Sequence, residues 1–153
     1  MAAPDAHRYR VRVYFEDTDA GGVVYHAAYL RFAERARTEA LRAAGAAHAE
    51  LTALHDAAFV VRRVELDYAA PARLDDTLLV LTQVVGLGPA RVVLRQDFFR
   101  EAADAPAEVA NRPLVVAKVE LACVRAGSFR PTRIPPRWRA ALGALAACKD
   151  AAS

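Results

Sequence analysis

Cysteine is scarce in this chain of 153 residues: there are two, Cys123 and Cys148, and they form no C-x-x-C pair. A disulfide framework and a structural zinc site both lack their ligands, and no metal is expected. Long apolar runs are missing as well. No stretch approaches the ~18 consecutive apolar residues of a membrane-spanning helix. Residues 1–8 are short and polar, without the apolar run of a signal peptide, so a cytoplasmic location is expected. Nor are there charge blocks of one sign. The formal net charge is +3 and the pI about 9.1, but the arginines are spread through the whole sequence. No helix-turn-helix, zinc-finger or RNP-like motif accompanies them, so nucleic acid is not an expected partner. Internal repeats and Pro/Gly-rich linkers are absent too, and one domain over residues 1–153 is expected.

The composition that remains is that of a folded chain, with 55% hydrophobic and 25% charged residues. Residues 8–15 alternate: Tyr9, Val11, Val13 and Phe15 point one way, Arg8, Arg10 and Arg12 the other. Period two with β-branched and aromatic residues predicts a strand. The acidic, glycine-containing run 16–22 then breaks the pattern. A helix is predicted over 26–44, where Tyr29, Phe32, Ala33, Ala36, Ala40 and Ala43 make one apolar stripe. Its charged side sets Glu34 between Arg31 and Arg37, and Glu39 between Arg35 and Arg42, at ion-pair spacing. Gly45 stands where a helix stop belongs. Residues 46–57 fit a short helix or an irregular connection equally.

Four further strands are predicted over 58–68, 77–86, 91–100 and 113–125. Val60, Val64, Leu66 and Tyr68 are assigned to one face of the first of them. Residues 86–89, Gly-Leu-Gly-Pro, make a tight connection, and 101–112 a longer polar loop. Cys123 lies in an apolar strand and reads as a buried, inert thiol. A final helix is predicted over 136–147, with Pro136 in its first turn. One long helix with five strands, mostly joined by hairpins, predicts an α+β domain in which an antiparallel sheet wraps the helix. Such a sheet leaves edges and a face to cover, so self-association is expected.

The segment Glu16-Asp-Thr-Asp-Ala-Gly-Gly-Val-Val-Tyr-His26 holds the densest chemistry. Gly21 and Gly22 let the backbone turn sharply. The following helix offers unpaired N–H groups that suit a developing oxyanion. A carboxylate just before them can activate water or attack an acyl carbon. Asp17, Thr18 and Asp19 suit a helix cap or an Asx turn equally well. For the phosphates of a nucleotide-bearing substrate, Arg91 is the first candidate, with Arg130 and Arg133 next. A solvated arginine is an equal reading at each.

The string Val13-Tyr-Phe-Glu-Asp-Thr-Asp-Ala-Gly-Gly-Val-Val-Tyr-His-Ala-Ala-Tyr29, followed by Phe32 and Glu34-Arg-Ala-Arg-Thr-Glu39, resembles the opening of the 4-hydroxybenzoyl-CoA thioesterase family. Its YbgC-type branch, acyl-CoA thioesterases associated with the Tol–Pal envelope system, is the nearest likeness. Pro71-Ala-Arg-Leu-Asp-Asp76 resembles a second family segment, and the likeness runs from about residue 8 to 135. The resemblance implies a hot-dog fold, a homodimer or homotetramer, and hydrolysis of acyl-CoA without a cofactor. The sequence does not separate CoA from acyl carrier protein as the carrier. By position, Asp19 matches the family's catalytic carboxylate. His26 matches the residue at the helix start, whose backbone N–H is expected to polarise the thioester carbonyl. Some members of the branch carry a tyrosine where Phe15 stands. A non-catalytic acyl-thioester-binding or scaffolding module of the same fold is the alternative, and the intact Asp19 and His26 speak against it.

Overall fold

The computed structural model describes residues 6–101 and 112–146. Five strands form one antiparallel sheet: β1 (His7–Arg12), β2 (Ala57–Tyr68), β3 (Thr77–Leu87), β4 (Arg91–Glu101) and β5 (Val115–Arg125). Their spatial order is β1-β3-β4-β5-β2, which puts β1 and β2 at the edges. Helix α1 (Ala28–Ala43) lies across the concave face, α2 (His48–His55) leads into β2, and α3 (Pro136–Ala144) closes one end. This is the hot-dog arrangement that the resemblance implies.

Periodicity explains most of it. Val92, Leu94, Gln96 and Phe98 of β4 face α1, as do Val115, Ala117, Val119, Leu121 and Cys123 of β5, and all are buried. Helix α1 buries Tyr29, Phe32, Ala33, Ala36 and Ala40 against them. The small alanines let its backbone sit close to the sheet. Leu41 takes the last buried place, and Ala43 is exposed. Gly45 adopts φ +76° just past the helix, which an L side chain would strain. Residues 46–57, open between two readings in the sequence, hold α2. At the closing end Trp138 is fully buried and donates from Nε1 to the Ala47 carbonyl at 3.3 Å.

Three expectations change. The first strand stops at Arg12 and a 3-10 turn occupies Phe15–Asp17. Phe15 therefore leaves the inward face and is 81% exposed. The cause is local: Asp17 is buried, and its Oδ2 accepts the Tyr14 N–H at 2.8 Å, which turns the chain before Phe15 can continue the ladder. The second concerns β2. Its register against β5 slips between Val61 and Arg63, so a bulge puts Val61 with Val64 and Leu66 on the α1 side and sends Val60 to the other. The third concerns charge on α1. Arg31 reaches Asp17 (3.7 Å) rather than Glu34, and only the Glu39–Arg42 pair of the expected series forms an ion pair among the described residues. The polar loop at 102–111 and Cys148 lie outside the described residues. Cys123 is buried, and burial raises its thiol pKa, as an inert cysteine requires.

Candidate active site

Residues 17–25 form a small hairpin held to the rest of the chain by the Val24 N–H, which donates to the Ala72 carbonyl at 2.8 Å, and by a bridge between Val23 and Arg73. The Tyr25 N–H donates to the Asp17 carbonyl at 2.8 Å, and Thr18 bridges Val24. The Asp19 N–H donates to the Val23 carbonyl at 3.0 Å, and the Gly22 N–H returns to the Asp19 carbonyl at 3.0 Å. Gly22 takes φ +77° to make that return. Asp19 thus stands at the head of the hairpin, exposed, with Oδ1 accepting the Gly21 N–H at 2.8 Å. The turn reading holds for this carboxylate, but it uses one oxygen only. Asp17 differs: it is buried, spends Oδ2 on Tyr14 and sets Oδ1 near Arg31, so it holds the loop rather than facing solvent.

The hairpin delivers the chain to α1 through Tyr25, His26 and Ala27. Helix α1 begins at Ala28, two residues later than the sequence predicts, so His26 precedes its first turn. Ala27 caps the helix with no side-chain hydrogen bond. The Ala28 N–H donates to the Tyr25 carbonyl at 2.8 Å. Among the described residues the His26 and Ala27 amides donate to no acceptor. A carboxylate and a pair of available N–H groups therefore share one short stretch of chain. Aromatic rings surround it: His26 lies 4.6 Å from Tyr25 and 6.5 Å from Tyr68, and Tyr29 lies 5.7 Å from Tyr68 and 5.4 Å from Phe98, between centroids. Burial raises the Tyr29 pKa, opposed by the Ala72 backbone amide, and burial raises that of Tyr68. Both phenols are protonated at neutral pH.

The three candidate arginines gather elsewhere. Arg91 opens β4, and the segment that carries Arg130 and Arg133 runs alongside: Val124 bridges Pro131, and the Ile134 N–H donates to the Pro89 carbonyl at 2.8 Å. The Tyr29–Phe98 contact marks the His26 end of the sheet, and Arg91 is seven residues along β4 from Phe98, about 23 Å away. Within one chain the three arginines sit on adjoining segments, Arg91 and Arg133 in different recesses, and the structure does not bring them to Asp19 and His26.

One feature of the neighbourhood left no trace in the sequence pattern. An apolar cleft of about 460 Å³ runs between α1 and β2, walled by Leu30, Ala33, Val61, Val64 and Val119. It starts just past His26, and neither His26 nor Asp19 lines it. Arg37 closes its far end. Its Nη1 donates to Gln96 Oε1 at 3.1 Å, and Gln96 Nε2 donates to the Ala33 carbonyl (2.9 Å) and to Thr82 Oγ1 (3.0 Å). Burial lowers the Arg37 pKa, and the Glu34 charge partly offsets that. Gln96 is fully buried, so Gln96→Leu strands several polar groups at once. The substitution is expected to lower stability by about 2 kcal/mol in urea unfolding. A glutamine facing the core on a strand of otherwise apolar inward residues was the available signal.

Comparison with known proteins decides the family. The model of the "Thioesterase superfamily" matches residues 21–107, more than half of the chain. The chain belongs to the thioesterase superfamily. Within it the chain is of the YbgC type. It is 43% identical over 131 residues to the acyl-CoA thioesterase YbgC of Haemophilus influenzae, covering 86% of this chain and 90% of that one. It is 42% identical over 128 residues to the acyl-CoA thioester hydrolase YbgC of Escherichia coli, covering 84% and 89%. Among solved structures, a probable thioesterase from Bartonella henselae superposes with a TM-score of 0.75 at 36% identity, covering 85% of this chain and 99% of that one. The superfamily match begins at Gly21, two residues after Asp19, so the carboxylate is read from the hairpin geometry and the motif together. Among its described residues this superfamily member has no helix long and apolar enough to cross a membrane.

Proposed function

We propose that this thioesterase hydrolyses acyl-CoA to free acid and CoA, with Asp19 acting on the acyl carbon and the His26 amide holding the thioester oxygen. The observation that carries the reading is the hairpin. It presents a carboxylate with one oxygen uncommitted among the described residues, on the same short loop as N–H groups that have no acceptor among them. As the carbonyl carbon becomes tetrahedral, negative charge moves onto its oxygen, and fixed N–H donors stabilise that state more than the ground state. Asp19 either attacks the carbon, forming a mixed anhydride that water then hydrolyses to the free acid, or takes a proton from a water that attacks directly; both routes release the thiolate of CoA. Acyl carrier protein presents the same pantetheine thioester and is a second carrier under this reading. A cytoplasmic location belongs to the same reading, because acyl-CoA is a cytoplasmic metabolite.

The active unit in this reading is a dimer built on β2. That strand is twelve residues long and has one free edge, with Leu30 and Val61 exposed beside it. A twofold axis pairing β2 with its copy, antiparallel, sets the Tyr68 end of one strand against the Ala57 end of the other. Arg133 lines a recess with Ala57, and Tyr68 touches His26. The arginine end of one subunit then lies beside the Asp19 end of its partner, and a bound CoA can reach both.

Thiol release from short, long and aromatic acyl-CoAs tests the reaction itself, with turnover of at least one class expected. No release from any of them would reject the reading. Replacing the arginines tests the phosphate assignment. Arg91→Ala and Arg133→Ala should each raise KM, by up to about fivefold, equivalent to ~1 kcal/mol, with kcat little changed. The larger effect is expected at Arg133, because Arg91 already pairs with Glu120 at 3.2 Å. A fall in kcat alone would remove these residues from the phosphate site.

A further inference from the structure

The geometry points to Tyr68 as a positioning residue, whose hydroxyl locks the His26–Ala27 peptide so that the Ala27 amide serves as a second donor to the thioester oxygen. The inference rests on the thioesterase reading above and adds to it a residue from a different element, the last of β2.

Two consecutive peptides lead into α1, and each is held by its carbonyl. In the first, the Tyr25 carbonyl accepts the Ala28 N–H at 2.8 Å. A trans peptide is planar and points its N–H opposite to its C=O, so this bond aims the His26 N–H. In the second, the His26 carbonyl accepts the Tyr68 hydroxyl at 2.8 Å. By the same planarity this bond aims the Ala27 N–H. The first lock is a backbone turn that nearly any sequence at these positions can form. The second exists only because a phenol arrives from a strand 42 residues away in the chain.

Tyr68 is built to hold that position. Its backbone is in register with Val115 of β5, and its ring packs edge-on against Tyr29 and His26. Within one chain the residue is 46% exposed, and its bond to the His26 carbonyl is an exposed one. A hydrogen bond of this exposed kind contributes little to folding. Its consequence is orientational. Without it the His26–Ala27 peptide, the middle unit of the turn that Ala28 closes on Tyr25, keeps only that turn's backbone restraint, because Ala27 offers no side-chain cap of its own. Removing an oxyanion donor outright costs about 10² to 10³ in kcat; loosening one costs less.

Tyr68→Phe keeps the ring and deletes only the hydroxyl. With one good acyl-CoA substrate, the variant is expected to lose about tenfold in kcat, with KM and the unfolding midpoint close to wild type. A second readout is independent of turnover. The carbonyl stretch of a bound aromatic acyl-CoA, measured by isotope-edited infrared difference in the slow Asp19→Asn background, should shift to lower frequency on binding. The shift should shrink when Tyr68→Phe is added. Unchanged kcat, a rise in KM alone, or the same carbonyl shift with and without the hydroxyl would each overturn the assignment while leaving the thioesterase reading intact. A wild-type protein that releases no thiol would overturn both.

Discussion

Asp19→Asn is expected to lower kcat for acyl-CoA hydrolysis by about 10³-fold and to leave KM within about threefold of wild type. The substitution is nearly isosteric. The side-chain oxygen of Asn can still accept the Gly21 N–H that Asp19 Oδ1 accepts at 2.8 Å, so the hairpin head keeps its turn. Backbone bonds from Asp19 to Val23 and from Gly22 to Asp19 are untouched. What is lost is the charge and basicity of the second oxygen. An amide neither attacks an acyl carbon nor removes a proton from water at neutral pH. Under the proposed reading substrate binding rests on the loop amides and the arginines, all of which remain. The paired measurement is the unfolding midpoint, which should match wild type because the side chain is exposed. Full activity in this variant would remove Asp19 from the chemistry.

Phe32→Ala is expected to cost 3–5 kcal/mol of stability, as a large-to-small change in a closed core does. Phe32 is fully buried in the first half of the α1 stripe, and its ring meets that of Tyr29 at 6.1 Å. The surrounding alanines, Ala33 and Ala36, have no side-chain length with which to refill the space. Backbone collapse is opposed by the Gln96 bridge, which ties the Ala33 carbonyl to the sheet. Most of the cavity should therefore persist. In urea the midpoint falls while the slope stays constant. A loss below about 1 kcal/mol would show that α1 is not clamped to the sheet as described.

Residue period alone made much of this fold legible. β3, β4 and β5 lie within two residues of the predicted spans, and the alanine stripe on α1 faces the sheet as its spacing requires. Features set by side-chain capture of the backbone, by register slips and by contacts between elements were not legible. Phe15 satisfies the alternation of β1, yet the Asp17 carboxylate captures the Tyr14 amide and ends the strand first. Val60 satisfies the alternation of β2, yet the bulge at Arg62 reverses the face. Arg31 had a partner at helical spacing and took Asp17 from outside the helix instead. For the candidate site, the motif pointed to the Asp19 hairpin and His26. It held no sign of Tyr68, because a hydroxyl meeting a carbonyl across 42 residues has no local pattern.

The claim beneath all of this is that one carboxylate and the amides before α1 converge on the same acyl carbon. A crystal structure of the Asp19→Asn protein with an uncleaved acyl-CoA measures that directly. The thioester oxygen is expected within hydrogen-bond reach, about 3 Å, of the His26 amide, with residue 19 facing the carbonyl carbon. An acyl group bound with its carbonyl remote from both would contradict it.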